Sequence, residues 1–233
     1  MASAIPSIVS ELPEWVPYVA AVVVMVAAIW GISAYYERKR SEALSAVAPQ
    51  LGLTFSGKDQ MQAPRLQTAL FQRGHSKEIR NLMTGSAGNL QAALFDYKFT
   101  VGGGRYSHTY KQTVAAYSKS GVQLPLFEVR RRGLWLKIFP GRGMRFDSHP
   151  EFARTMYVRC SDETRAKSIF TPALLAFLSQ IDPAKKWCFE GQQDTLIVYR
   201  SEKKVKPADF RSFLDETSSL ATQFFSQGNF RGS

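Results

Sequence analysis

The longest apolar run in the chain, Val16 to Tyr36, holds 21 residues without a charge and ends at Glu37-Arg38-Lys39-Arg40. A helix rises ~1.5 Å per residue, so the run spans roughly 30 Å, the hydrocarbon thickness of a bilayer. Trp15 and Tyr18 mark one end, and Trp30, Tyr35 and Tyr36 the other, where amphipathic rings suit the headgroup layer. A buried core helix would be shorter and carry a polar stripe. The pattern predicts a transmembrane helix over 16–36. A cleaved signal peptide would need a basic start and a small-x-small cleavage site. The first 36 residues contain no Lys or Arg, and a cut after Ala34 would leave Ile32 at the third position before it. An uncleaved anchor is expected.

Past the anchor the apolar period shortens. Leu44, Val47 and Leu51 recur at helical spacing, with Pro49 and Gly52 to end the run, so 37–52 reads as a basic stalk helix. Leu53 to Phe55 reads as a short strand, 56–64 as a loop and 65–73 as a short helix. In Leu90 to Val101, Phe95, Tyr97, Phe99 and Val101 alternate with Asp96, Lys98 and Thr100, the period-2 pattern of a half-buried strand. Ile79–Thr84 precedes it as a strand. Tyr106–Tyr117, Leu126–Arg130, Leu134–Phe139 and Thr155–Cys160 follow.

Helices return toward the C-terminus. Ser161-Asp162-Glu163 supplies a cap and first-turn carboxylates, and Thr171-Pro172 a cap and a first-turn proline. Lys186–Glu190 and Thr195–Arg200 read as a hairpin with Gly191 between its strands, as Gly85 lies between the earlier pair. Pro207 opens a final amphipathic helix carrying Phe210, Phe213, Leu214, Leu220, Phe224 and Phe225. The prediction is α+β: an N-terminal transmembrane helix and stalk, then an antiparallel sheet with flanking helices over 53–226. Residues 1–15 form a short outer segment and 227–233 a disordered tail.

Charge orients this plan. All 30 Lys and Arg lie beyond residue 36, and positive flanks stay on the cytoplasmic side. The N-terminus is expected outside and the C-terminal domain in the cytoplasm of a bacterial inner membrane. Glu11 and Glu14 give the first 36 residues a charge of −2, so an overall +11 leaves +13 for the rest. With 45% hydrophobic residues, 16 Phe and 9 Tyr, that part is a folded domain and not a disordered tail. Its positive balance suits an anionic leaflet, and tethering argues against nucleic acid. Cys160 and Cys188 lack metal spacing and read as reduced thiols in strands.

Candidate chemistry is sparse. Gly102-Gly103-Gly104-Arg105 could cradle a phosphate, but it joins two strands and has no following Lys-Ser/Thr, so a hairpin tip is expected. His75, His108 and His149 show no ligand spacing, and Asp147-Ser148-His149-Pro150-Glu151 reads as a turn or helix start. No Gly-x-Ser-x-Gly elbow is present. No cofactor, metal or catalytic residue is expected. The candidate membrane-surface or partner contacts are Arg38, Lys39, Arg40, Arg105, Tyr106, Arg130, Arg131, Arg132, Lys203, Lys204 and Lys206. Ala27-x-x-x-Gly31 permits close helix approach and a homodimer through the anchor.

Leu94-Phe95-Asp96-Tyr97 running into a glycine-rich turn, Gln112-Thr113-Val114, Pro150-Glu151-Phe152 and Phe170-Thr171-Pro172-Ala173-Leu174-Leu175 occur in that order. Together they resemble a family of uncharacterised bacterial proteins with one N-terminal membrane helix, a basic stalk and a soluble domain of similar size. The likeness spans roughly residues 38 to 225. It implies a bacterial inner-membrane protein and transfers no catalytic residue. The functional expectation is a binding, scaffold or sensing module at the membrane surface with a protein partner. The alternative is a tethered enzyme acting on a nucleotide or membrane-proximal substrate.

Overall fold

The computed structural model describes residues 13, 15–57, 67–131, 143–144 and 146–227. The expected strand at 134–139, most of the loop at 56–64, Arg65 and Leu66 of the expected short helix, nearly all of the outer N-terminal segment and the tail beyond Gln227 lie outside them. The chain divides into two units, 1–43 and 44–233.

In the first unit, helix α1 (Val16–Val47) carries the apolar run. It is long and apolar enough to cross a membrane, and none of that stretch is buried by the protein. Trp30 is 77% exposed, as only lipid or a partner would tolerate across so many apolar side chains. The last turn of α1, from Leu44, belongs to the second unit, where Leu44 is fully buried. A short 3₁₀ turn (Ala48–Leu51) ends at Gly52, whose φ of 70° reverses the chain into the first strand.

The second unit is built on β1 (Leu53–Gly57), β2 (His75–Ala87), β3 (Leu90–Val101), β4 (His108–Ser118), β5 (Leu124–Arg131), β6 (Met156–Cys160), β7 (Trp187–Gln193) and β8 (Thr195–Arg200). They form one antiparallel sheet in the order β1-β2-β3-β4-β8-β7-β5-β6. Four helices accompany it: α3 (Pro150–Thr155), α4 (Glu163–Ile169), α5 (Pro172–Gln180) and α6 (Phe210–Gln227). Two caps form as the sequence predicts. Asp162 accepts the Arg165 N–H at 2.9 Å, and Thr171 Oγ1 accepts the Leu174 N–H at 3.2 Å.

Helices cover one face of the sheet. Phe224 of α6 stacks on Phe127 (centroids 5.6 Å apart) and on Phe189 (6.3 Å), while Phe213 stacks on Trp187. Each fully buried Phe is worth roughly 1.5–3 kcal/mol, so α6 is integral to this core. Tyr117 fixes its position through a 2.7 Å hydrogen bond between its hydroxyl and that of Thr217.

A strap covers part of the opposite face. It is α2 (Ala69–Gln72), one turn where the sequence predicts a helix over 65–73. Beneath it Phe71, Tyr97, Phe99 and Tyr110 form a continuous aromatic row. The sheet is therefore a central layer, and β3 is buried on both sides from Ala92 to Tyr97 except for half-buried Ala93. Simple half-burial holds only at its C-terminal end.

Gly85 and Gly191 are not turn residues. Both sit inside strands, where a Cβ on Gly191 would strike the Phe127 ring and one on Gly85 would lie 2.7 Å from Leu53 Cδ2. They are glycines because neighbouring side chains occupy the space. The hairpin reversals lie elsewhere, at Gly88 (φ 62°) and after Gln193 (φ 55°).

Candidate functional site

Two charged clusters stand on this sheet, one interior and one open. The interior cluster faces the strap. Glu128 and Arg130 of β5, Glu190 of β7 and Tyr199 of β8 are each less than 10% exposed. The register sets Glu128 directly opposite Glu190, a repulsive pair unless cations intervene. Arg130 and Arg73 supply them. Arg130 Nη2 donates to Glu190 Oε1 at 2.9 Å and to the Tyr199 hydroxyl at 2.8 Å. The Tyr199 hydroxyl donates onward to Glu190 Oε1 at 2.7 Å. Arg130 Nε pairs with Glu128, which also accepts from Arg73 Nη2 at 2.7 Å.

The network extends to the strap backbone. Glu190 Oε2 accepts the Leu70 N–H at 2.7 Å, and Gln192 Oε1 accepts the Gln67 N–H at 2.6 Å. Burial opposes the charge on Arg130, but Tyr199, Glu190 and Cys188 around it more than offset that, and its pKa is held above the usual arginine value. Burial also pushes the Tyr199 phenol well up and the Cys188 thiol up to about 11, despite the nearby Arg130. A thiol so raised is protonated at neutral pH and is a poor nucleophile. The Tyr97 hydroxyl, also raised by burial and by Glu190, has no partner among the described residues. With both interior glutamates held by arginines, the cluster acts as a clasp for the strap.

The open cluster occupies the other face at the far end of β2, β3 and β4, where strand alternation turns Glu78, Arg80, Asp96, Lys98, Lys111 and Thr113 outward from the aromatic row. A bulge between Arg80 and Met83, with Asn81 at φ 54°, brings the Asn81 amide to Asp96 at 2.9 Å. Thr113 Oγ1 donates to the other Asp96 oxygen and accepts the Val205 N–H at 2.9 Å, tying the segment after β8 to β4. Lys98 Nζ lies 2.7 Å from Glu78, which also pairs with Arg80. Burial raises the Glu78 pKa, yet the bonds from Lys98 and Arg80 outweigh it and leave the carboxyl below its ordinary value.

The sequence-predicted contacts do not form one site. Arg38 is 83% exposed and pairs with Glu42, one helical turn on. Lys39 is exposed and Arg40 half-buried. Arg105 and Tyr106 sit in a 3₁₀ turn (Gly104–Tyr106) between β3 and β4, with the Arg105 guanidinium 5.7 Å from the Tyr106 ring. The glycine run is thus a strand-to-strand tip, as its sequence predicts.

Arg130 corrects the basic-turn reading of 130–132: it is only 8% exposed and belongs to the interior clasp. Arg131 next to it is exposed and donates to the Pro183 carbonyl at 2.8 Å. Arg132 lies outside the described residues. Lys203 and Lys206 are exposed, while Lys204 is 25% exposed and 3.7 Å from Asp96.

Sequence reasoning missed Arg73, Glu128, Glu190 and Tyr199. Their one sequence signal is a charge at alternate strand positions, Glu128-Val129-Arg130, which reads as a solvated face. Cys160 and Cys188 are both free thiols, Cys160 half-buried and Cys188 buried. No group of three metal-capable side chains stands together among the described residues.

No protein-family model matches the chain, and no curated protein sequence matches it. Among solved structures, the mycobacterial trehalose monomycolate transport factor A, TtfA, superposes with a TM-score of 0.53 at 12% identity. The match covers 80% of this chain and 96% of that one. At that identity the likeness is one of fold: the α+β architecture recurs in TtfA.

Proposed function

We propose that this is a single-pass inner-membrane protein whose C-terminal α+β domain faces the cytoplasm and serves as a binding or scaffold module for a protein partner at the membrane surface. The carrying observation is α1: an uncharged run with no protein contact to bury it, leading directly into a folded domain. Membrane anchoring explains that exposure, and the one-sided distribution of Lys and Arg supports the orientation. The interior supports binding over catalysis. Asp96, Glu128 and Glu190, the buried carboxylates among the described residues, are all engaged by neighbouring donors. A cavity beside Arg131, Met156, Asp182 and Trp187 has about 20 Å³, room for a water, where small-molecule pockets hold ~300 Å³ or more. The TtfA likeness supports a membrane-associated accessory role, since that protein is described as a transport factor. Self-association through Ala27 and Gly31 belongs to the same proposal, since nothing crowds Gly31.

Fusion of alkaline phosphatase, active only in the periplasm, to the C-terminus tests the topology. Low activity is expected, with high activity from a fusion to the N-terminal side. The reverse result overturns the cytoplasmic placement.

A further inference from the structure

We infer that the open basic face of β2, β3 and β4, with the Tyr106 tip beyond it, docks on anionic lipid headgroups. This rests on the anchored reading above and names the surface that the module would use.

The argument begins with an unfavourable placement. Lys98 and Lys111 are direct partners in the β3–β4 register, on one face. Like charges so placed repel. Glu78 answers Lys98, but Lys111 makes no ion pair or side-chain hydrogen bond among the described residues. Lys204 stands on the same face over Asp96, and Lys203 beside it is exposed with an unpaired ammonium. Arg80, Lys98, Lys111, Lys203 and Lys204 thus face only Glu78, Asp96 and, further along, Glu202, which is held by His108. The surplus is positive and is left for an external anion.

The second observation is Tyr106. Beyond the apolar helix and its flanks, it is the one exposed large hydrophobic among the described residues, at 79%. It projects from the turn after the last β3–β4 pair, Val101 with His108, and Arg105 lies against its ring. A tyrosine beside an arginine at the end of a basic ribbon suits the headgroup layer, where an amphipathic ring and a phosphate-seeking cation are both satisfied. The chain leaves its apolar run at Tyr36 and enters the folded unit at Leu44, so the tether holds this face at high effective concentration near a leaflet. That favours lipid over a soluble polyanion.

The test uses the full chain with Tyr106 replaced by photoreactive p-benzoylphenylalanine. It is reconstituted in nanodiscs of phosphatidylcholine alone or with phosphatidylglycerol, irradiated, and read by mass spectrometry for lipid adducts. Phosphatidylglycerol discs should give at least about fivefold more adduct. The excess should vanish in about 1 M salt, where the Debye length is ~3 Å. It should also vanish in Lys98→Ser/Lys111→Ser and persist in Lys98→Arg/Lys111→Arg, with both variants melting like the parent. The same photoreactive group at Glu163, exposed at the start of α4, should give only background. Equal adducts in both lipids, salt-insensitive adducts, or a yield at 106 no greater than at 163 overturns the inference. So does crosslinking to protein or nucleic acid in place of lipid in native membranes. A chain that stays in the discs without lipid adducts removes this inference alone, whereas a chain that elutes free of discs removes the anchored reading.

Discussion

The clasp at Glu128, Arg130 and Glu190 and the open face at Lys98 and Lys111 are written in the same strand alphabet, a charge at every second position, yet they differ in nearly every physical respect. In the clasp each charge is covered and answered: guanidinium forks meet carboxylates, a tyrosine hydroxyl closes the ring, and a carboxylate oxygen is left for the strap backbone. On the open face two ammonium groups stand opposite each other with one carboxylate between the three strands to compensate them. Interior charge must be balanced locally because desolvation is expensive. Surface charge can remain in surplus because water screens it. The first arrangement organises the fold, and the second is available to something outside it.

The largest expected effect breaks the clasp. Glu190→Ala leaves Arg130 buried without its principal carboxylate and removes the acceptor for the Leu70 N–H. A loss of about 3–5 kcal/mol is expected in urea unfolding. Replacing the pair together, Glu190→Leu with Arg130→Met, should recover much of that loss, because no orphaned charge remains. A double variant as unstable as Glu190→Ala would show that the strap bond, and not charge balance, carries the energy.

An intermediate effect comes from pH. Burial holds the Cys188 thiol protonated up to about 11, whereas in an unfolded chain it ionises near its model value of 9.0. Between those values the native state binds more protons than the unfolded state, so stability falls as pH rises. Cys188 accounts for roughly 2–3 kcal/mol across that window. Melts of the parent and of Cys188→Ala from pH 8 to 11 should converge at the alkaline end, where the thiol ceases to be an advantage. Parallel curves would show that the buried phenols alone set the alkaline limit.

The smallest effect belongs to the open face. Lys111→Ser should change stability by no more than about 0.5 kcal/mol, or raise it slightly by relieving the repulsion with Lys98. A large loss would mean that Lys111 has a structural partner, and the contrast between the two clusters would collapse.

How much of this was legible before folding differs by element. The anchor is read from composition and length, since a helix rises by a fixed amount and a bilayer has a fixed thickness. Leu90–Val101 was legible because its alternation is long, and the α4 and α5 starts because caps are local hydrogen bonds. Arg130 was misread among neighbouring basic residues. A strand places Arg130 and Arg131 on opposite faces, and no local signal says that β7 and β8 bring Glu190 and Tyr199 to the first of them.

Gly191 shows the same limit. Its sequence context suggests a turn, but the ring of Phe127, from a strand 64 positions earlier, occupies the space where a side chain would go. The sequence by itself determined the membrane-length helix, the α+β class and the basic excess beyond residue 36, because each depends on composition or short-range periodicity. Only the tertiary structure decided which charges are interior and which are in surplus, because that depends on strand order and on what lies across each face.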